Sequence, residues 1–268
     1  MNTDGYRPFR RFLSKVPEVT IFFWVIKILA TTVGETFADF LNTTLGLGLT
    51  LTTVVMCAVL AVVLVLQFRE IRYVPTLYWL VVVLVSIVGT LFTDGLVDDL
   101  GVSLEVTTGV FAVLLAATFT IWYATEKTLS ITTVDTPRRE AFYWLAILFT
   151  FALGTSFGDL VSEVFRLGYA AAAILFVLVI AAVWDAHRYL RLGTVVAFWI
   201  AYVATRPLGA SLGDYLAQPR VAGGLGLGTV FTSLIFLVTI LGLVVYLTMS
   251  QRDRPSLDNA ARRAGSAW

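Results

Sequence analysis

The side chains best placed to do chemistry in this 268-residue chain are four aspartates that recur in one frame. Asp39, Asp94, Asp159 and Asp214 each follow a tryptophan (Trp24, Trp79, Trp144, Trp199) by 15 residues and a glycine (Gly34, Gly89, Gly154, Gly209) by 5. All four lie at the edge of long apolar stretches, where a carboxylate is costly and is expected to face the protein interior or a water-filled cavity. Four residues before them stand Glu35, Thr90, Thr155 and Ala210. Residues i and i+4 share a helix face, so three of the four aspartates have an oxygen-bearing neighbour one turn away. Glu35 and Asp39 would repel each other unless a cation or a shared proton bridges them. The pattern points to an oxygen-lined cation or proton site made of Asp39, Asp94, Asp159 and Asp214 with Glu35, Thr90 and Thr155. With the four aspartates as metal ligands, it suits a hard divalent ion such as manganese or magnesium. The structural alternative is that these carboxylates cap helix ends, bond loop amides or pair with nearby cations.

Two basic residues have no counterpart in the other copies. Lys27 and Arg206 fall near the middle of apolar stretches, where charge is expensive. Lys27 is two turns before Glu35, and Arg206 precedes Pro207, which is expected to kink its helix or open its backbone bonds. Both are candidate intramembrane counter-ions for the carboxylates. They could instead bind an anionic substrate, since guanidinium suits carboxylate or phosphate. A lysine can also serve as a tethered cation that leaves when substrate arrives. With both charges assigned to the site, Glu35 and the four aspartates still leave a net charge of −3 if all are ionised. That balance favours a cation as the occupant.

Other chemistries lack their residues. One cysteine, Cys57, and one histidine, His187, are too few for a zinc, copper, haem or iron–sulfur site, so no cofactor is expected. Ser156-Phe157-Gly158-Asp159 and Ser211-Leu212-Gly213-Asp214 faintly resemble an intramembrane aspartyl protease motif. That chemistry needs two unlike aspartates sharing a proton, whereas this signal is one of four copies. No nucleophile–base pair and no phosphate-binding loop is visible, so the chain is not expected to be an enzyme. A net charge of +1 gives no global signal for nucleic acid.

The elements that must position these residues are membrane spans. The chain is 58% hydrophobic and 14% charged, with a mean hydropathy of +0.86, and a span needs roughly 20 mostly apolar residues. Eight stretches qualify, at about 18–40, 47–67, 76–97, 102–124, 141–163, 168–186, 193–215 and 225–249. The first is expected to be an uncleaved signal anchor. The tryptophan–glycine–aspartate frame occupies every odd-numbered span, and a Leu-Gly pair follows each copy: Leu45-Gly46, Leu100-Gly101, Leu167-Gly168 and Leu225-Gly226. The repeat tryptophans are expected to be packing or interfacial anchors, and Trp122 and Trp184 to belong to an aromatic belt. The repeat glycines, with Gly158 and Gly213, are expected to mark close helix contacts. The four copies resemble a bacterial membrane-protein family of unknown function built from four tandem repeats, each of two spans and a tryptophan. That resemblance covers about Val19 to Met249 and implies an architecture but no activity.

Fifteen of the 19 lysines and arginines fall on one side, in the N-terminal segment, alternate loops and the C-terminal tail. The opposite side has only Arg166 and Arg220. The positive-inside rule then puts both termini in the cytoplasm and all four aspartates in the outer half. There Asp98, Asp99, Glu105 and Glu163 add further acid; solvated loop faces account for the loop acids as readily as an entrance that concentrates cations. Two spans per repeat give every copy the same orientation, so the copies must be related by an axis along the membrane normal. Four equivalent helices would then direct their aspartates toward one place.

The expected fold is therefore an all-α membrane protein of eight transmembrane helices in four two-helix repeats. Its parts are a cytoplasmic N-terminal segment (1–17), spans one to four (18–126), a cytoplasmic linker (127–140), spans five to eight (141–249) and a cytoplasmic tail (250–268). The expected function is a secondary transporter or channel of the bacterial inner membrane for a small inorganic cation, with proton coupling. The alternatives are an anion or organic-acid transporter centred on Lys27 and Arg206, or a non-transporting membrane scaffold with structural aspartates. The expected partners are the lipid bilayer and the ion, with no nucleic acid; assembly with further copies of the chain is left open.

Overall fold

The structure, a computed structural model, describes residues 14–254. Arg7, Arg10, Arg11, Arg262 and Arg263, counted above for orientation, lie outside the described residues. Among the described residues there are no strands and eight helices long and apolar enough to cross a membrane. They are α1 (Ile21–Asp39), α2 (Leu49–Arg69), α3 (Pro75–Asp94), α4 (Leu104–Glu126), α5 (Pro137–Asp159), α6 (Tyr169–Tyr189), α7 (Thr194–Ala217) and α8 (Thr229–Ser250). Apolar runs of this length can cross a bilayer only with every backbone group satisfied internally, and the helix does that.

Local sequence sets the ends. Pro75 and Pro137 open α3 and α5 at a position whose N–H has no helical partner. Ser103 and Thr136 cap α4 and α5, accepting from the backbone N–H of Val106 and Arg139. Because α5 begins at Pro137, the connection expected over 127–140 is shorter, and Glu140 belongs to the first turn of α5. The glycines of the repeated Leu-Gly pairs all have positive φ, from 64° to 77°. That backbone shape favours glycine, so the pair marks the turn into each even helix.

The odd helices form an inner ring. α1 packs on α3, α3 on α5, α5 on α7, and α7 back on α1. The repeat glycines make those contacts in a single register. A Cβ on Gly34 would lie 2.6 Å from the Cβ of Ser86, one on Gly89 2.7 Å from that of Phe151, and one on Gly209 2.6 Å from that of Thr31. One on Gly154 would overlap the Arg206 side chain. Each of these partners stands three residues before the next helix's own glycine, so the four interfaces are copies of one contact. Bare backbone is required because any side chain there would hold the helices apart.

The even helices form an outer layer, each on the next repeat's inner helix: α2 on α3, α4 on α5, α6 on α7 and α8 on α1. The inner helices bury 61–67% of their most apolar window and the outer ones 11–28%. The exposed residues of the outer helices are mostly Val, Leu, Ile and Ala, as a face toward lipid tails demands. The protein is therefore a multi-pass membrane protein with a ring of four helices inside.

Candidate functional site

The inner ring stacks its side chains in layers along its axis. The end where the termini lie is aromatic. Trp79, Trp144 and Trp199 are buried there, and Trp199 donates its indole N–H to the Leu129 carbonyl at 2.9 Å. The repeat tryptophans are thus mainly core residues. Trp122, expected in an interfacial belt, is fully buried against Phe142 and Trp199, while Trp184 is exposed at the end of α6. Nearer the axis the hydroxyls of Tyr78 and Tyr143 share a hydrogen bond at 2.5 Å.

This terminal end is also latched. Lys15, on the segment before α1, reaches Glu140 at 2.6 Å and the Phe68 carbonyl at 3.2 Å, and Gln67 donates to the other Glu140 oxygen at 3.1 Å. The Lys15 backbone N–H bonds to the Val134 carbonyl, and Ser14 bonds to that of Ile131. Asp253, just past α8, accepts from the Tyr73 hydroxyl, and its backbone carbonyl accepts from the Glu18 N–H. Burial pushes the Asp253 carboxyl above the usual carboxylate range, and burial beside Asp253 raises the Tyr73 phenol. The segment before α1 therefore ties together α2, the α4–α5 connection, α5 and the chain after α8. Sequence reading treated Lys15 only as topology and passed over Glu140 as a linker residue.

Midway along the axis sits Lys27, fully buried. Its ammonium donates to the Tyr202 carbonyl at 2.8 Å and to the Thr205 hydroxyl, and it lies over the rings of Tyr202 (4.3 Å) and Phe151 (5.3 Å). It forms no ion pair among the described residues. The expectation that Lys27 is a direct counter-ion is therefore corrected: its ammonium turns to α7, and Arg206 takes the Glu35 carboxylate.

Arg206 is the centre of the site. It occupies the position that is Thr31, Ser86 or Phe151 in the other copies, and Gly154 leaves the space for its stem. One guanidinium nitrogen donates to Glu35 at 3.1 Å, to Thr155 at 2.5 Å and to the Thr90 hydroxyl; another reaches the Thr31 carbonyl at 3.3 Å. Its Nε is buried without a partner. Glu35, Thr90 and Thr155 hold the same place in the first three repeats, so one side chain from the fourth repeat closes the layer across the axis. Pro207 does not end α7, which runs unbroken to Ala217; its ring instead packs at 3.4 Å from where a Cβ on Gly158 would be.

The aspartates lie one turn beyond. Glu35 acts electrostatically on all four. The aspartates also act on one another in ring order: Asp39 on Asp94, Asp94 on Asp159, and Asp159 and Asp39 on Asp214. The carboxylates of Asp94, Asp159 and Asp214 accept no hydrogen bond and form no ion pair among the described residues. They are thus not tied to loop amides. Among the described residues no three carboxylates stand close enough to hold a metal ion directly. The ring as it stands is wider than the inner coordination sphere expected for Asp39, Asp94, Asp159 and Asp214 as joint metal ligands. A single π turn begins immediately after Asp39, Asp94 and Asp159, at Phe40–Thr44, Gly95–Asp99 and Leu160–Val164. Such turns recur at functional sites. The fourth copy lacks one, and Pro219 closely follows the end of α7. The second π turn carries Asp98 and Asp99, and Asp99 accepts from Thr50 at 3.4 Å.

With this geometry in place, the comparison with known families is direct. Residues 22–73, 77–128, 142–189 and 197–253 each match the family described as Repeat of Unknown Function (DUF347). The chain belongs to this family. Each DUF347 match takes in one inner and one outer helix, so the family's unit is the helix pair. No curated protein and no solved structure matches the chain.

The sequence also missed Thr31, Ser86 and Tyr202, although a signal for the first two was available. In the tryptophan–glycine frame, the place three before glycine reads Thr31, Ser86, Phe151, Arg206. A lone arginine in a column that packs against the neighbouring helix's glycine must send its head toward the axis.

Proposed function

We propose that this DUF347 protein is a secondary transporter or channel for a small inorganic cation, in the inner membrane of a bacterium with both termini cytoplasmic. What supports the reading is the placement of Asp39, Asp94, Asp159 and Asp214 on the four packed inner helices, one turn past the layer in which Arg206 meets Glu35. The carboxylates of three of those aspartates have no hydrogen-bond donor among the described residues, which leaves them available to a mobile partner. The partner meets the ring with its water still attached, since no three carboxylates are near enough to replace its shell. Magnesium keeps several waters and binds through one or two carboxylates, and manganese shares that oxygen preference.

Arg206 then acts as the gate. Its guanidinium occupies the Glu35 layer and blocks the axis, and a cation that reaches Glu35 must displace it. The anion alternative fits less well, because Arg206 already spends its donors on Glu35, Thr90, Thr155 and Thr31, with Nε alone unpaired. Proton coupling belongs to the same proposal, since carboxylates that release a metal ion can take up protons in exchange.

The test is thermal unfolding of the purified protein with millimolar Mn²⁺, Mg²⁺ or Ca²⁺. A cation held by the native state raises the melting temperature. The expected result is a rise with Mn²⁺ or Mg²⁺ that shrinks in Asp94→Asn. No rise with any of the three ions counts against the reading, and so does an undiminished rise in the variant.

A further inference from the structure

We propose that Lys27 is the proton-carrying group of this protein, exchanging its proton with the terminal end of the axis as a cation occupies or leaves Glu35; this rests on the cation reading above. The argument begins with its surroundings. Lys27 is completely buried on α1, with neutral oxygens from Tyr202 and Thr205 and two aromatic faces as its partners. The helices against α1 bring these ionisable groups: Tyr78 and Asp94 from α3, Tyr202, Arg206, Asp214 and Tyr215 from α7, and Tyr246 from α8. α5, which supplies Phe151, adds Tyr143 and Asp159 on the ring face, and Glu35 and Asp39 lie further along α1 itself. Of these, Arg206 is the charged group that acts on Lys27, and it has the same sign. Glu35 is eight residues away, about 12 Å along the helix, and its carboxylate is held by Arg206.

Arg206 and Lys27 lie against the same ring, at 5.4 Å and 5.3 Å from the Phe151 centroid. Glu35 holds the guanidinium toward the aspartates. A cation that takes the oxygens of Glu35, Thr90 and Thr155 removes that hold, and the guanidinium then has the Thr31 carbonyl and the Phe151 face left, on the Lys27 side. A positive charge moving toward an ammonium disfavours its charged form. The ammonium becomes a neutral amine, and its proton leaves to solvent at the terminal end. When the cation departs, Arg206 returns to Glu35 and the amine takes a proton back. Cation binding and proton release are thereby linked, and linkage is reciprocal.

The polar groups on the exit side are in place. The Tyr202 hydroxyl is buried without a partner, and the hydrogen-bonded hydroxyl pair of Tyr78 and Tyr143 stands on the inner helices α3 and α5. Trp144 Nε1, in the aromatic layer at that end, is a second buried polar atom without a partner. A site with several unpaired polar groups is one that can hold bridging water.

The decisive variant is Lys27→Arg. Arginine keeps the charge, the donors and the aromatic contact but does not release its proton in proteins. Wild-type protein and K27R are held in weakly buffered detergent solution with a pH-sensitive dye, and MnCl₂ is added. The wild type is expected to release about one more proton per chain than K27R on Mn²⁺ binding, as linkage of one amine requires, with K27R keeping its Mn²⁺-dependent melting shift. Thr205→Val, which removes the hydroxyl partner of the amine, is expected to slow the pH change several-fold and serves if K27R does not fold. Wild-type-like proton movement in K27R, or in T205V where that variant serves, overturns the proposal. A wild type that moves no protons while its melting shift is intact also overturns it, leaving the cation site standing. Loss of both signals in the wild type removes the cation reading as well.

Discussion

The two ends of the inner ring are made by the same four helices and are built on opposite principles. At the terminal end the charged groups are matched. Lys15 meets Glu140, Gln67 completes that carboxylate, and Tyr78 meets Tyr143. At the aspartate end the polar groups are repeated but not matched. The carboxylates of Asp94, Asp159 and Asp214 have like-charged neighbours and no donor among the described residues. Buried polar groups are ordinarily hydrogen-bonded, so the Lys15–Glu140–Gln67 cluster reads as a structural seal on the segment before α1, and the aspartate end as a site awaiting a partner. Arg206 stands at the boundary between them.

Breaking that boundary is expected to have the largest effect. Arg206→Gln leaves Glu35 beside four aspartates with no cation, and losing one partner of a buried pair typically costs about 3–5 kcal/mol. Chemical unfolding in detergent measures the loss, and added Mn²⁺ is expected to restore part of it. A variant as stable as the wild type would show that the pair does not hold the layer together.

Glu140→Gln tests the seal in the same way. It leaves the Lys15 ammonium with the Phe68 carbonyl and Gln67 nearby, so the expected cost is at the lower end, about 3 kcal/mol. The comparison sharpens here, because this loss should not respond to Mn²⁺. Proteolysis of the segment before α1 is expected to quicken in parallel, and unchanged proteolysis would remove the latch from the account.

Gly154→Ala forces a methyl into the Arg206 stem and the Pro207 ring. Overpacking of this kind costs about 1–3 kcal/mol. The same change at Gly95, where a Cβ would meet nothing, is expected to be silent toward packing. Equal melting temperatures for the two variants would contradict the single-register ring.

The smallest effect concerns pH. The Asp253 carboxyl is held above its usual range by burial, so folding favours its protonated form. Its contribution is fully present below the unfolded carboxylate range and is lost as pH rises through the folded value. Hydrogen exchange of the segment before α1 should therefore speed up over that rise in the wild type. Asp253→Asn should flatten the dependence, and an unchanged dependence would assign it to another group.

The contrast between the two ends also explains what could be read from sequence. The eight spans, the four repeats and the aspartate positions were legible because they are periodic: tryptophan, glycine and aspartate recur without a gap, and the Leu-Gly pair marks a backbone turn that needs positive φ. Pairing across the ring was not legible. Lys27 and Glu35 share a helix, so local spacing suggested they would meet, but the partner of Glu35 comes from α7, 171 residues away. Lys15 and Glu140 are 125 residues apart and join only once the ring is closed. Width was also hidden, because an alignment can say that four carboxylates face one axis and not how far apart they stand.

The central claim is that the aspartate ring works as one cation site. It is tested most directly by Mn²⁺ entry into vesicles that hold a manganese-quenched dye, with wild type, Asp94→Asn and Asp159→Asn compared at equal protein. The account predicts entry in the wild type and at least a tenfold slower rate in each variant, although the two residues lie on different helices. Entry at the wild-type rate in both variants, or no entry in the wild type, would contradict it.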